Sequence, residues 1–145
     1  MAPSALEPRT APPKRGNGHA ARVLVVDDEP GIRNLVVDIL GDEGYETRAA
    51  EDGVCAIEVL RGWTPDLILL DLSMPRMDGW QFLEARRELG IAPHARVIVV
   101  SASRHIDERV AARHRVLPKP FEVEHFLDAL REVLGSHDSC DGDAR

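Results

Sequence analysis

Asp66-Leu67-Ile68-Leu69-Leu70-Asp71 is the stretch on which the fold turns. Its consecutive aliphatic side chains leave neither face of an extended segment polar, which suits a parallel strand buried on both sides. Upstream, Arg22-Val23-Leu24-Val25-Val26-Asp27 repeats the pattern. Downstream, Val97-Ile98-Val99-Val100 repeats it again and ends at Ser101. Val116-Leu117 makes a short fifth run. Tyr45-Glu46-Thr47-Arg48-Ala49 is more polar, as an edge strand is.

Between these runs the apolar period changes to that of a helix. Ile32, Leu35, Val36, Ile39 and Leu40 recur at i, i+3, i+4, i+7 and i+8, and Gly41 or Gly44 ends the segment. Ala56, Ile57 and Leu60 mark a second helix closed by Gly62 and Pro65. A third runs from about Gly79 to Leu89 with Phe82, Leu83 and Leu89 on its apolar face, and Pro93 breaks it. Residues 107–113 look weakly helical. Val123, Phe126, Leu127, Leu130, Val133 and Leu134 form a strongly amphipathic last helix. Five strands alternating with helices predict an α/β fold, a parallel sheet with helices on both faces. In such open sheets the site lies at the carboxyl ends of the strands, near a topological switch.

Length and composition bound the rest. At 145 residues and 43% hydrophobic the chain fits one domain with tails. Residues 1–20, rich in Ala and Pro, read as a disordered N-terminal tail, 21–135 as the domain, and 136–145 as a flexible acidic C-terminal tail. A formal net charge of -7 disfavours a grip on phosphate backbones, and three Phe, two Trp and one Tyr supply few base-stacking surfaces. Direct nucleic-acid binding is therefore not expected. No apolar run approaches the roughly 20 residues that span a bilayer, and no apolar segment follows the N-terminal charges as in a secretory signal. Cys55 and Cys140, the two cysteines, make neither a disulfide framework nor a zinc site. Cytoplasmic location is the default expectation.

The chemistry gathers at one edge. The first strand ends in Asp27-Asp28, the third in Asp71 and the fourth in Ser101, and the fifth is followed by Lys119-Pro120. Three carboxylates held together repel one another, and a hard divalent cation with oxygen ligands relieves that repulsion. A carboxylate can also serve as nucleophile and form an aspartyl-phosphate. Phosphoryl transfer asks mainly for positioning and charge neutralisation, which an ammonium and a hydroxyl on neighbouring strand ends supply. The competing role for Asp27 and Asp28 is N-capping of the first helix.

Val-Val-Asp27-Asp28-Glu29-Pro30, Leu-Leu-Asp71-Leu-Ser-Met-Pro75-Arg-Met-Asp78-Gly79, Val-Val-Ser101-Ala102 and Pro-Lys119-Pro120-Phe121, in this order, resemble the receiver domain of two-component response regulators. The likeness covers about Arg22 to Leu134 and is to a single-domain, chemotaxis-regulator-like member. It implies a flavodoxin-like, doubly wound five-stranded parallel sheet in the order 2-1-3-4-5. It implies Asp71 as phosphoacceptor. Mg²⁺ would be held by Asp27, Asp28 and Asp71, with Ser73 contributing its backbone carbonyl. Ser101, the backbone NH of Ala102 and Lys119 would bind the phosphoryl group, and Pro120 would shape the loop, with the bond before it often cis in the family. The implied donor is a histidine kinase or a His phosphotransfer protein, and the output an unknown protein target.

Two features depart from that family. Val116 stands three residues before Lys119, where receivers usually carry Tyr or Phe. Ser101 and Lys119 are 18 positions apart, roughly one helical turn short of the usual spacing. They motivate a second reading, a phosphate-independent docking module. A turnover enzyme of the haloacid-dehalogenase type is disfavoured, because Ser73 occupies the position of its acid/base Asp. Nothing after Leu134 reads as an output domain. Ser73 and Ser103 flank the expected site. Asp78-Gly79 reads as a structural cap, and His94, His105, His114 and His125 as surface or helix residues. Trp63 and Trp80 read as packing or contact residues. The Arg86-Arg87 and Arg113-Arg115 clusters read as solvated faces.

Overall fold

Alternation of strand and helix sets the chain order. A computed structural model of the protein describes residues 20–72, 79–101, 114–118 and 122–143. The strands are β1 (Arg22–Val26), β2 (Glu46–Ala50), β3 (Leu67–Asp71), β4 (Arg96–Ser101) and β5 (Arg115–Pro118). The helices are α1 (Pro30–Asp42), α2 (Gly53–Gly62), α3 (Gly79–Leu89) and α4 (Val123–Asp143). The weakly helical stretch expected over 107–113 lies outside the described residues, as do residues 1–19.

All four strand pairings are parallel, and the sheet order is β2-β1-β3-β4-β5. This is the flavodoxin-like order that the resemblance to receiver domains implies. Strand period separates the two faces. Val23, Val25, Leu67, Leu69, Ile98 and Val100 point to one side, where Val36 and Leu40 of α1 and Phe126, Leu127 and Leu130 of α4 cover them. Leu24, Val26, Ile68, Leu70, Val97 and Val99 point to the other, under Ala56, Ile57 and Leu60 of α2 and Phe82 and Leu83 of α3. All five residues of β3 are buried. Each such aliphatic side chain contributes about 1.5–3 kcal/mol by leaving water, so central β3 anchors both layers. Edge strand β2 buries only Ala50.

Local signals place the ends. Pro30 opens α1, where its missing N–H has no helical partner. Gly44, at φ 98, follows the end of α1 and takes the left-handed turn, which decides between the two candidate glycines. Gly90, at φ 66, stops α3 before Pro93 is reached. Asp52 caps α2, its Oδ1 accepting from the Cys55 N–H at 2.9 Å. Trp63 is a packing residue, as read. Its buried ring lies 5.5 Å from the Arg22 guanidinium and 5.1 Å from that of Arg48, and its indole N–H donates to Glu46 at 3.4 Å.

Three expectations need correction. Leu35 and Leu89, assigned to apolar helix faces, are 55% and 54% exposed. Each sits at the margin of a stripe whose other members already fill the space above the sheet. Arg86 is not part of a solvated face. It is half-buried, and its Nη1 donates to the Ala92 carbonyl at 2.7 Å. Its neighbour Arg87 is exposed, as expected. Finally, α4 runs to Asp143, into the stretch read as a tail, because backbone hydrogen bonds continue a helix without an apolar face. No helix among the described residues is long and apolar enough to cross a membrane.

Candidate functional site

Strand register brings the polar ends together. Val26 pairs with Leu70, Asp71 with Val100, and Ser101 with Pro118, so the carboxyl ends of β1, β3, β4 and β5 form one rim. Asp27 follows directly on β1, and Asp71 and Ser101 are the last residues of their strands. Among the described residues, the buried polar or charged ones are Asp27, Asp71, Ser101 and Asp52. Three of these four lie on this rim, and burying charge there without function is costly. Asp28 is exposed at its mouth. Carboxylate oxygens of Asp27, Asp28 and Asp71 all lie within 4.8 Å of one another.

The turn after β1 holds this geometry. The Asp27 N–H donates to the Ala50 carbonyl at 3.1 Å, which ties the turn to β2. Asp27 Oδ1 accepts from the Glu29 N–H at 3.0 Å. The N-cap of α1 is Glu29, which makes no side-chain cap hydrogen bond. Asp27 and Asp28 are thus not the helix caps that the competing reading made them. Their carboxylates turn toward Asp71 instead. Arg33, one turn into α1, donates from Nη1 to the Asp27 carbonyl at 2.8 Å and pins the turn from the other side. Sequence reading missed Arg33. Its only signal is position, six residues on and on the helix that follows.

A second cluster was also missed. Glu51, Asp52 and Cys55 bring ligand-type atoms within 4.8 Å of one another beyond the end of β2. Asp52 serves there as the cap of α2, which accounts for its burial.

The donor set on the rim is all carboxylate oxygen, of both buried and exposed groups. That set fits a hard cation such as Mg²⁺, which takes oxygen ligands and keeps waters on its open side. Asp27, Asp28 and Asp71 are the residues able to hold it. Ser73, Ala102, Lys119 and Pro120 lie outside the described residues, as do Asp78, Ser103, His105 and Arg113. Val116 sits in β5 opposite Val99, half-buried against the α2/α3 side of the sheet.

Comparison with known proteins gives the family. Residues 23–131 match the model of the response regulator receiver domain. The chain belongs to that family. Among curated relatives, sporulation initiation phosphotransferase F of Bacillus subtilis is 35% identical over 119 residues, covering 78% of this chain and 93% of the relative. Response regulator MprA of Mycobacterium tuberculosis is 37% identical over 120 residues, covering 79% of this chain but only 51% of the relative. The receiver chain thus spans about half the length of MprA. The solved structure of response regulator TrrA from Thermotoga maritima, in complex with Mg(2+)-BeF, superposes with a TM-score of 0.69 at 30% identity. It covers 78% of this receiver and 98% of TrrA.

Proposed function

We propose that this receiver accepts a phosphoryl group on Asp71 from a histidine kinase or a His phosphotransfer protein, and signals in the cytoplasm as a stand-alone regulator through protein contacts. One observation carries the reading: three carboxylates from two strand ends converge within 4.8 Å, with Asp71 at the end of the central strand. In the proposed step an Asp71 carboxylate oxygen attacks the donor's phosphorus, the P–N bond to the donor imidazole breaks, and the imidazole leaves with that electron pair. Mg²⁺ supplies neutralisation of charge shared between carboxylates and phosphoryl oxygens when bound. Asp27, Asp28 and Asp71, together with the Ser73 carbonyl, would hold it. The Ser101 hydroxyl, the Ala102 N–H and the Lys119 ammonium receive the phosphoryl oxygens. Pro120 shapes the lysine loop. Residues 21–135 carry this function, preceded by an N-terminal tail, and α4 continues beyond them to Asp143. The chain transfers phosphate to and from itself rather than turning over an external ester, since Ser73 offers no carboxyl for acid/base work. TrrA, whose structure holds Mg(2+)-BeF, supports the metal assignment by similarity.

The test is to incubate wild type and Asp71→Asn with Mg²⁺ and acetyl phosphate and to weigh the intact proteins. A gain of one phosphoryl group by wild type alone, abolished by chelator, is the expected result. The half-buried Val116, in place of an aromatic switch residue, favours a second reading, a docking module that works without phosphate. Absence of both phosphoryl gain and Mg²⁺ binding would remove the first reading and favour the second.

A further inference from the structure

At the amino ends of the strands the chain enters β1 beside α1. Ala21 is buried in the layer that holds Val36 and Leu40 of that helix. Its carbonyl accepts from the Glu46 N–H at 2.9 Å, and the Tyr45 N–H donates to the Leu40 carbonyl at 3.0 Å. Residues 1–19 therefore join the domain next to the last turn of α1. They carry Arg9, Lys14 and Arg15 against Glu7, a positive segment on a chain whose formal net charge is -7.

α1 turns the opposite charge to solvent. Gly31, Asn34, Leu35, Asp38, Gly41 and Asp42 are all exposed and recur at three- and four-residue steps, so they form one strip along the helix. A side chain at Gly31 or Gly41 would meet open space, which leaves the backbone of the strip bare at both ends. α1 has no base in its last turn, and Asp42 and Glu43 stand where the helix dipole is already negative. Its one base, Arg33, is turned to the Asp27 carbonyl at the other end. Arg131 lies 3.7 Å from Glu43 and compensates it. Asp38 and Asp42 have no ion pair among the described residues. On neighbouring α4, by contrast, Asp128 and Glu132 are matched by Arg131 and Arg115.

Dimensions match as well as charge. α1 has 13 residues and is about 20 Å long at the helical rise. Arg9 and Arg15 are six positions apart, about 19 Å in the extended form that Pro8, Pro12 and Pro13 favour. Gly16-Asn17-Gly18 is a turn sequence, and a reversal there lets a chain running alongside α1 enter β1, which runs the other way. We propose that residues 1–19 dock along this strip, with Lys14 and Arg15 against Asp38 and Asp42 and Arg9 beside Glu29 at the rim. Tethering holds the segment at an effective concentration of about millimolar, so contacts that are weak between separate molecules suffice. The docked segment covers Leu35, and a protein that binds this face must displace it.

Limited trypsin digestion of the full chain tests this, with cleavage after Lys14 and Arg15 followed by mass. At low ionic strength the expected rate in wild type is about threefold or more below that in Asp38→Asn/Asp42→Asn. The two rates are expected to converge in about 1 M salt, where the screening length is about 3 Å. Glu58→Gln/Glu88→Gln removes the same charge from α2 and α3, and its rate is expected to match wild type. Equal rates in wild type and the α1 variant overturn the proposal. Equal acceleration in both variants also overturns it, since net charge would then be the cause. Protection that grows with protein concentration assigns the segment to a second copy and overturns docking within one chain. A variant that leaves the domain untouched gives a second readout. In ¹⁵N-labelled Lys14→Gln/Arg15→Gln the Leu35 and Asp38 amide resonances are expected to shift, and unmoved resonances overturn the assignment.

Discussion

Asp27, Asp28 and Asp71 bring their oxygens within 4.8 Å of one another, so each ionised carboxylate raises the energy of the others. At that distance an effective dielectric of about 20 gives roughly 3 kcal/mol per pair, which relaxation and solvent reduce. Asp71→Asn removes one charge while keeping the shape. In chelator, urea unfolding is expected to show it more stable than wild type by about 1 kcal/mol; equal or lower stability would mean that the three acids do not strain the apo fold. Arg33 acts on the same group from outside the carboxylate set, through the Asp27 carbonyl. Arg33→Ala is expected to leave the protein folded and to weaken Mg²⁺ binding by roughly three- to tenfold in a calorimetric titration, the worth of one hydrogen bond. These residue roles were unevenly legible. The acids announced themselves by standing at strand ends. That Asp27 is buried and Asp28 exposed, and that Arg33 closes the turn, follows from how α1 leaves β1, which no residue pattern encodes.

At the scale of elements, caps and edge ties decide how well each piece is held. Asp52 satisfies the first turn of α2 through the Cys55 N–H. Asp52→Ala is expected to cost about 1–2 kcal/mol in denaturant unfolding while leaving Mg²⁺ affinity at the Asp71 rim unchanged. A lost Mg²⁺ site would instead assign the Glu51–Asp52–Cys55 cluster a share in metal binding. The edge strand β2 is tied to β1 by Arg22 and Glu46 at 3.2 Å. The hydrogen bond from Arg22 is the main cause that holds the Glu46 pKa below its ordinary value of 4.5, with partial desolvation opposing it. A depressed folded pKa means stability that is present above the unfolded value and lost as pH falls through the folded one. Thermal unfolding across pH 5 to 3 is therefore expected to fall less steeply in Glu46→Gln than in wild type; parallel profiles would show that the tie contributes nothing. Element types and order were readable because β-branched runs and helical periods alternate cleanly. Their margins were not, as Leu35 and Leu89 show, since periodicity cannot tell how wide a face the sheet has room to cover.

Across the whole molecule, a ligand that binds only the folded state stabilises it by mass action. Mg²⁺ at a hundredfold over its dissociation constant adds about 2.7 kcal/mol. Wild type is accordingly expected to gain several degrees in Tm with saturating Mg²⁺, and Asp71→Asn to gain much less. An equal gain in both would place the metal elsewhere on this acidic protein.

The aliphatic runs of β1, β3 and β4 were enough to specify a parallel sheet buried on both faces, because only that environment matches strands without a polar side. The acids that end those runs then had to share the rim of strand ends, since parallel strands point the same way. The sequence alone therefore determined the fold class, the order of elements and the family. Tertiary structure decided what depends on distance and burial. It set which carboxylates meet, that Asp27 and Asp28 turn toward Asp71 rather than cap α1, and that Trp63 packs against two guanidinium groups. It also took Arg86 from a run of charges expected to face solvent and placed it, desolvated, against a pocket. The physical reason is the same in each case: contacts between residues far apart in sequence arise only when helices pack on the sheet, and charge has no periodicity that foretells its partners.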